Sequence, residues 1–143
     1  MFPHESLIMM TNGEEKPIGE LCDGDEILFM FDLKNEHHYC KLIDIKEHSG
    51  SALTIWGKTN NRERKLIVDL EQKFPTIRGC RSFENVHKSE LLYNFDLSLF
   101  AITGGLNKSP FSRSFLDLEV SHDCMVIVDR LFFNLDGRRT KNV

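Results

Sequence analysis

Short runs of apolar residues recur along the chain and are separated by turn residues and small polar clusters. No stretch places apolar residues at i, i+3, i+4 and i+7 over three helical turns, which is the period of an amphipathic helix. Short strands with turn signals between them are typical of all-β domains. The pattern therefore predicts an all-β fold, either a bent sheet or a barrel, formed by residues 1–143 as one domain. No internal repeat is evident.

The predicted elements are short. Strands are predicted at residues 7–10, 27–31, 39–45, 53–56, 66–70, 115–120, 125–128 and 131–135. Residues 18–21 are long enough for a single helical turn, and Phe74-Pro75 is predicted to bend the chain. Residues 91–102 are largely apolar and fit one bent strand, two strands or a helix. The polar or glycine-containing segments 57–64 and 104–114 are predicted to be loops.

Composition and charge exclude several classes of protein. Hydrophobic residues make up 41% of the 143 residues and charged residues 28%, which excludes an intrinsically disordered chain. The 18 Lys and Arg against 22 Asp and Glu give a net charge of −4, which is unsuited to general nucleic-acid binding. No apolar run approaches the ~18–20 residues that span a bilayer, and the first residues lack the basic region of a signal peptide. These features predict an intracellular, cytoplasmic protein without membrane contacts.

The four cysteines, Cys22, Cys40, Cys80 and Cys124, form no Cys-x-x-Cys pair, so the usual spacing of a structural zinc site is absent. Their even number permits two disulfides, but an intracellular setting favours free thiols, at least two of which are expected to be buried. We therefore predict that the chain binds neither a metal nor a cofactor.

Two functional alternatives involve Cys124. One is a soft-metal site that combines Cys124 with the cluster at residues 37–40, which reads His-His-Tyr-Cys. The other is a nucleophilic thiol activated by an imidazole from His4, His87 or His122. Residues i and i+2 share one face of a strand, so His122 and Cys124 would point the same way. The structural interpretation is that Cys124 is a small buried side chain on a strand, and it is favoured over both functional alternatives.

The first 28 residues contain an ordered series of turns. A strand at residues 7–10 precedes Asn12-Gly13, then Lys16-Pro17-Ile18 opens a helical turn, and Gly24-Asp25 leads into an apolar run. This layout resembles the opening block of the Hint superfamily, which includes hedgehog autoprocessing domains, inteins and bacterial intein-like domains. That block reads Cys-Phe-x-Gly-Asp, a strand, an Asn/Asp-Gly turn, a Lys-Pro-Ile turn and a Gly-Asp-x-Val/Ile-Leu strand. The order and spacing of the turns carry the resemblance.

A second segment, residues 117–128, resembles the later Hint block, in which a strand is followed by Thr/Ser-x-x-His and another strand. Ser121 occupies the Thr/Ser position, and Cys124 occupies the position where the family has His. Between the two blocks, residues 32–115 match the family only in being rich in strands. The resemblance implies a Hint-like bent sheet with a horseshoe shape and short helical turns.

The resemblance also implies a self-processing chemistry that this chain has lost. In the family, a first-position Cys attacks the preceding carbonyl, and later Thr and His residues polarise the amide and protonate its nitrogen. Met1 stands at the nucleophile position, and a thioether cannot accept an acyl group. Cys124 stands at the His position, and a thiol is the poorer proton donor near neutral pH. The implied site therefore consists of Met1, Ser121, His122 and Cys124, in a module that binds a partner or serves a structural role.

Two alternatives are left open. The chain is then either an active domain that cleaves itself through an N-to-S acyl shift, with Met1 substituted for a native Cys, or an unrelated small β-barrel interaction domain. The predicted partners are an upstream protein segment in cis or a separate protein, and neither nucleic acid nor a membrane is expected.

Overall fold

The computed structural model describes residues 1–33 and 40–137, and within them the chain is almost entirely β. The strands are β1 (Leu7–Met9), β2 (Glu15–Pro17), β3 (Leu42–Thr59), β4 (Arg62–Asp69), β5 (Lys73–Thr76), β6 (Gly79–Ser82), β7 (Leu91–Tyr93), β8 (Leu99–Val120), β9 (Cys124–Val128) and β10 (Leu131–Leu135). Single turns of 3-10 helix lie at Ile18–Glu20 and Phe83–Asn85. In the described ranges, no helix has the length and apolarity needed to cross a bilayer. The predicted all-β class with short helical turns is confirmed.

The strands form two sheets that give the molecule the shape of a curled half-barrel. The first sheet has the order β2-β1-β9-β10-β5-β6, and the second has the order β4-β3-β8-β7. β3 and β8 pair from Leu42 opposite Val120 to Lys58 opposite Ala101, with several register shifts along the way. Register shifts of this kind bend and twist a strand pair. The horseshoe-like bent sheet implied by the resemblance is therefore present.

The two polar segments predicted to be loops are strand instead. Residues 57–59 finish β3 and residues 62–64 begin β4, so only a short turn separates them, in which Asn60 has a φ of 55°. Residues 104–114 lie inside β8, which has 22 residues. Their polarity reflects largely exposed strand positions. Gly105 has a φ of +81° and a Cβ there would lie 2.4 Å from the Trp56 ring, so this bend requires glycine.

Residues 27–31 do not form the predicted strand. Ile27 and Met30 make isolated bridges to Met10 and Met125, and both side chains are buried. The apolar run therefore reflects the burial of these side chains, although the segment does not pair continuously with a neighbouring strand.

Three further segments refine the prediction. The predicted bend at Phe74-Pro75 is wrong, because both residues lie inside β5. A proline is tolerated there because β5 pairs with β10 only through Lys73. Residues 91–102 form two strands, β7 and the start of β8, which was one of three alternatives. In the predicted strand 39–45, Tyr39 lies outside the described residues and β3 begins at Leu42.

One local motif occurs twice, although no repeat is evident in the sequence. β1 and β2 form a hairpin that runs into the 3-10 turn at Ile18–Glu20, and β5 and β6 form a hairpin that runs into the turn at Phe83–Asn85. A residue with positive φ follows each turn, Gly24 at 90° and Ser89 at 78°. The two copies share a backbone path and little sequence, so sequence comparison alone does not reveal them.

A series of aromatic contacts runs through the main hydrophobic cluster, which contains residues of both sheets. Phe74 and Phe83 lie with ring centroids 4.5 Å apart, Phe83 and Phe133 at 6.2 Å, and Phe133 and Phe2 at 5.5 Å. Buried aromatic pairs in such geometries stabilise a core beyond their buried area. The series connects the second hairpin to residue 2, and so it ties the beginning of the chain to the core.

Candidate functional site

Two buried polar side chains hold the nitrogen of residue 1. The Met1 nitrogen donates to Oε1 of Gln72 at 2.6 Å and lies 3.5 Å from Oδ2 of Asp69. The exposed fraction is 2% for Asp69 and 5% for Gln72. Burying a carboxylate and an amide is costly unless each is partnered. The two side chains therefore mark a polar site built around position 1.

Asp69 is the last residue of β4, and Gln72 lies in the turn that joins β4 to β5. The carbonyl of Asp69 accepts a hydrogen bond from the Gln72 backbone at 3.0 Å, and its Oδ1 accepts one from the Glu71 backbone at 3.3 Å. The side-chain nitrogen of Gln72 donates to the carbonyls of Lys73 and Asn134, both at 2.9 Å. These bonds fix the amide plane, so Oε1 is the group that faces residue 1.

Residue 2 fixes the position of residue 1. The backbone of Phe2 exchanges two hydrogen bonds with Leu116 of β8, at 2.9 and 2.7 Å. Its ring is buried and meets Phe133 edge to face. Position 1 is therefore placed against the β4–β5 turn by the fold itself.

The electrostatics of this site are dominated by burial. Burial lowers the pKa of the Met1 amino group, while the Asp69 carboxylate acts in the opposite direction. The residue 1 nitrogen faces an amide oxygen and a carboxylate, and the side chain of residue 1 is itself a thioether. A thioether forms no acyl intermediate, and an amide oxygen accepts a hydrogen bond without donating a proton. The arrangement binds an N–H group at position 1.

Ser121 lies in a separate cluster, at the bend between β8 and β9. Its hydroxyl accepts a hydrogen bond from the Lys41 backbone at 2.9 Å, and its own N–H donates to the Lys41 carbonyl at 2.9 Å. The exposed His122 places Nδ1 3.0 Å from the same hydroxyl. Ser121 thus closes the end of the β3–β8 ladder.

Cys124 is buried at the start of β9, and its sulfur lies 3.5 Å from the sulfur of Cys40. Burial, with the hydrogen bond to Cys40 as the next cause, raises the pKa of the Cys124 thiol well above its usual range. The thiol is therefore protonated near neutral pH. A buried neutral thiol is a poor nucleophile and a poor general acid.

The alternative in which an imidazole activates the Cys124 thiol has no hydrogen bond to support it, since none joins Cys124 to a histidine ring in the described part of the chain. Residues 121 and 122 form a bend, so His122 lies outside both strands, and the expectation that it shares a strand face with Cys124 is wrong. The ring of His4 contacts the Ser114 hydroxyl at 3.1 Å, and the carbonyl of His87 accepts a hydrogen bond within a turn.

The soft-metal alternative is met only in part. Cys40 and Cys124 do come together, but His37 and His38 lie outside the described residues. Within the ranges that the structure describes, no group of three or more His, Cys, Asp or Glu is arranged to hold a metal ion.

The sequence-predicted residues fall into two groups. Met1 bonds to the β4–β5 turn, whereas Ser121, His122 and Cys124 gather at the β8–β9 bend. No hydrogen bond joins the two groups in the described residues, so a catalytic convergence of all four stays a prediction.

Asp69 and Gln72 are not among the predicted site residues. Their signal in the sequence is a pair of polar residues three positions apart between two apolar strands, in the segment Asp69-Leu70-Glu71-Gln72. Ser121 and Cys124 are likewise three positions apart in the sequence. Burial of both side chains, which the sequence does not display, distinguishes the pair from an ordinary polar turn.

Solved structures of inteins share this fold. The gp41-1 intein matches with a TM-score of 0.69 at 17% identity, over 91% of this chain and 94% of that chain. A DnaB intein from Synechocystis matches with a TM-score of 0.69 at 19% identity, over 94% and 97% of the two chains. A bacterial intein-like domain from Clostridium thermocellum matches with a TM-score of 0.63 at 11% identity, over 96% and 99%. No protein-family model and no curated protein matches the sequence.

These likenesses define the chain as an all-β domain with the intein-type, or Hint, fold. The resemblance drawn from the order of turns is thus confirmed at the level of the fold. The alternative of a small β-barrel with a fold other than Hint is wrong, because the match extends over nearly the whole chain. At identities of 11–19%, the likeness establishes the fold alone.

Proposed function

We propose that residues 1–143 act as one Hint-type domain that no longer cleaves itself and that serves as a binding or structural module. The observation that carries this proposal is the set of groups around the residue 1 nitrogen. Gln72 accepts its hydrogen bond at 2.6 Å, Asp69 lies at 3.5 Å, and the side chain of residue 1 is a thioether. The site keeps the ability to bind position 1 and lacks the groups that would react there.

Self-cleavage by an acyl shift needs a nucleophile at residue 1 and a proton for the departing nitrogen. Met1 has no ionisable proton, and the neutral amide of Gln72 does not titrate near neutral pH. Cys124 is buried, and the raised pKa of its thiol works against proton donation. The residue types at these three positions therefore all work against self-cleavage.

In this proposal Ser121, His122 and Cys124 form the second part of the site, as a structural cluster at the β8–β9 bend. The partner is a protein, either a segment joined to residue 1 in cis or a separate chain. The mild negative charge of the chain supports a protein partner over nucleic acid.

A fusion experiment tests the proposal. A folded reporter protein joined to residue 1 should stay attached during prolonged incubation with dithiothreitol at neutral pH, as followed by denaturing gels and mass spectrometry. A gp41-1 intein fusion, treated in the same way, controls for thiol strength. Release of the reporter at the bond before Met1 would show that the domain is active and would overturn the proposal.

A second candidate is an active autoprocessing domain in which Met1 has replaced a native Cys. The feature that favours it is the intact pocket, since the residue 1 nitrogen is buried and hydrogen-bonded. The two candidates differ in what a Cys at position 1 does, and this variant provides the decisive comparison.

A further inference from the structure

Two cysteines from distant parts of the chain meet beside the β8–β9 bend. The sulfurs of Cys40 and Cys124 are 3.5 Å apart although the residues are 84 positions apart in sequence. Cys40 precedes β3, and Cys124 is the first residue of β9. We propose that these two thiols form a reversible intramolecular disulfide, a redox-sensitive site that is independent of self-cleavage. Bond formation requires the two sulfurs to approach from this contact distance to about 2.05 Å.

The two sulfurs differ in accessibility, which sets the order of events. Cys124 is 5% exposed, whereas Cys40 is partly exposed and lies near the carbonyl of His122 and the hydroxyl of Ser121. Cys40 is therefore the thiol that an oxidant in solution reaches first. Burial raises the pKa of the Cys124 thiol, so it supplies a thiolate more slowly and acts second.

The exchange balances with glutathione disulfide as the oxidant. The Cys40 thiolate attacks one sulfur of glutathione disulfide, forming a mixed disulfide and releasing a glutathione thiolate. Cys124 then loses its proton to solvent, and its thiolate attacks the Cys40 sulfur, releasing the second glutathione. Two protein thiols are oxidised by two electrons, and one glutathione disulfide is reduced to two glutathione molecules.

The other two cysteines provide internal controls. Cys22 is exposed, and its sulfur contacts Lys16 Nζ and Asp25 Oδ2, both at 3.4 Å. Cys80 is exposed on β6, where it lies opposite Pro75. Within the described residues, neither sulfur contacts another cysteine sulfur. Cys40 and Cys124 are therefore the pair whose sulfurs are close enough for a disulfide to be expected.

Oxidation of the full chain with glutathione disulfide tests the proposal. The protein should lose two hydrogen atoms, and a non-reducing tryptic digest should link the peptide of residues 35–41 to that of residues 114–130. Closing a loop of this length should raise the midpoint of thermal unfolding by roughly 10 °C, reversibly with dithiothreitol. Oxidation should also proceed faster as the pH rises, because the second step needs the Cys124 thiolate.

Matched variants separate the pair from the other thiols. Cys22→Ser/Cys80→Ser should keep the linked peptides and the thermal shift, whereas Cys40→Ser should lose both and retain the native circular dichroism spectrum. Stable glutathione at Cys40 without a linked peptide, or equal linkage through Cys22 or Cys80, would overturn the proposal. Neither readout involves cleavage, so the result is independent of the proposed function.

Discussion

Replacing Phe74 with alanine should lower the free energy of unfolding by about 4 kcal/mol. Phe74 is fully buried in β5, and its ring lies 4.5 Å from that of Phe83. The substitution removes a large apolar side chain and leaves a cavity where the aromatic series continues towards Phe133. β5 directly follows the turn that carries Gln72, so we expect the same variant to loosen the residue 1 site.

Chemical denaturation followed through Trp56 fluorescence and far-UV circular dichroism measures this loss. Ile77→Ala is the matched control, because Ile77 lies between β5 and β6 and is 86% exposed. That control should change the free energy of unfolding by less than about 0.5 kcal/mol. Equal small effects from both substitutions would show that the second hairpin does not contribute to the core.

Introducing a nucleophile and an imidazole together should produce the largest change in activity. In a reporter fusion, Met1→Cys/Gln72→His places a thiol at position 1 and an ionisable ring where Gln72 now contacts the residue 1 nitrogen. The imidazole can donate a proton to the departing amine, a step that typically contributes about 10²–10⁴-fold to a rate. We expect thiol-dependent release of the reporter at least about 10²-fold faster than in Met1→Cys alone.

The matched control for the imidazole is Met1→Cys/Glu71→His. Glu71 is exposed and its side chain makes no hydrogen bond to residue 1, so this variant adds a histidine one position away from the site. It should release the reporter no faster than Met1→Cys. Equal rates in the two double variants would mean that an imidazole at position 72 does not donate a proton to the departing nitrogen.

The order of turns near the beginning of the chain is enough to predict the fold. Asn12-Gly13, the helical turn at Ile18–Glu20 and the turn at Gly24 all form, because each depends on local backbone preferences that the residue types display. The extent of β3 and β8 is not predictable in this way. Their polar middle segments pair with each other across the sheet, and tertiary pairing overrides local polarity.

The residues of the candidate site likewise differ in whether the sequence alone can indicate them. Met1 is predictable because it stands at a defined place in the series of turns. Asp69 and Gln72 are defined by burial and by the approach of residue 1 across more than sixty positions, which the sequence does not display. The proximity of Cys40 to Cys124 is likewise a product of the sheet topology.

The most direct test of the central claim, that the domain has lost self-cleavage within its own scaffold, is Met1→Cys in the reporter fusion. The rate of thiol-dependent release is measured over time by mass spectrometry, beside a gp41-1 intein fusion as the positive control. We predict that the reporter stays attached, because Gln72 and Cys124 supply no proton to the departing nitrogen. Release at a rate near that of the intein control would contradict the account and would show that residue 1 alone separates this chain from an active domain.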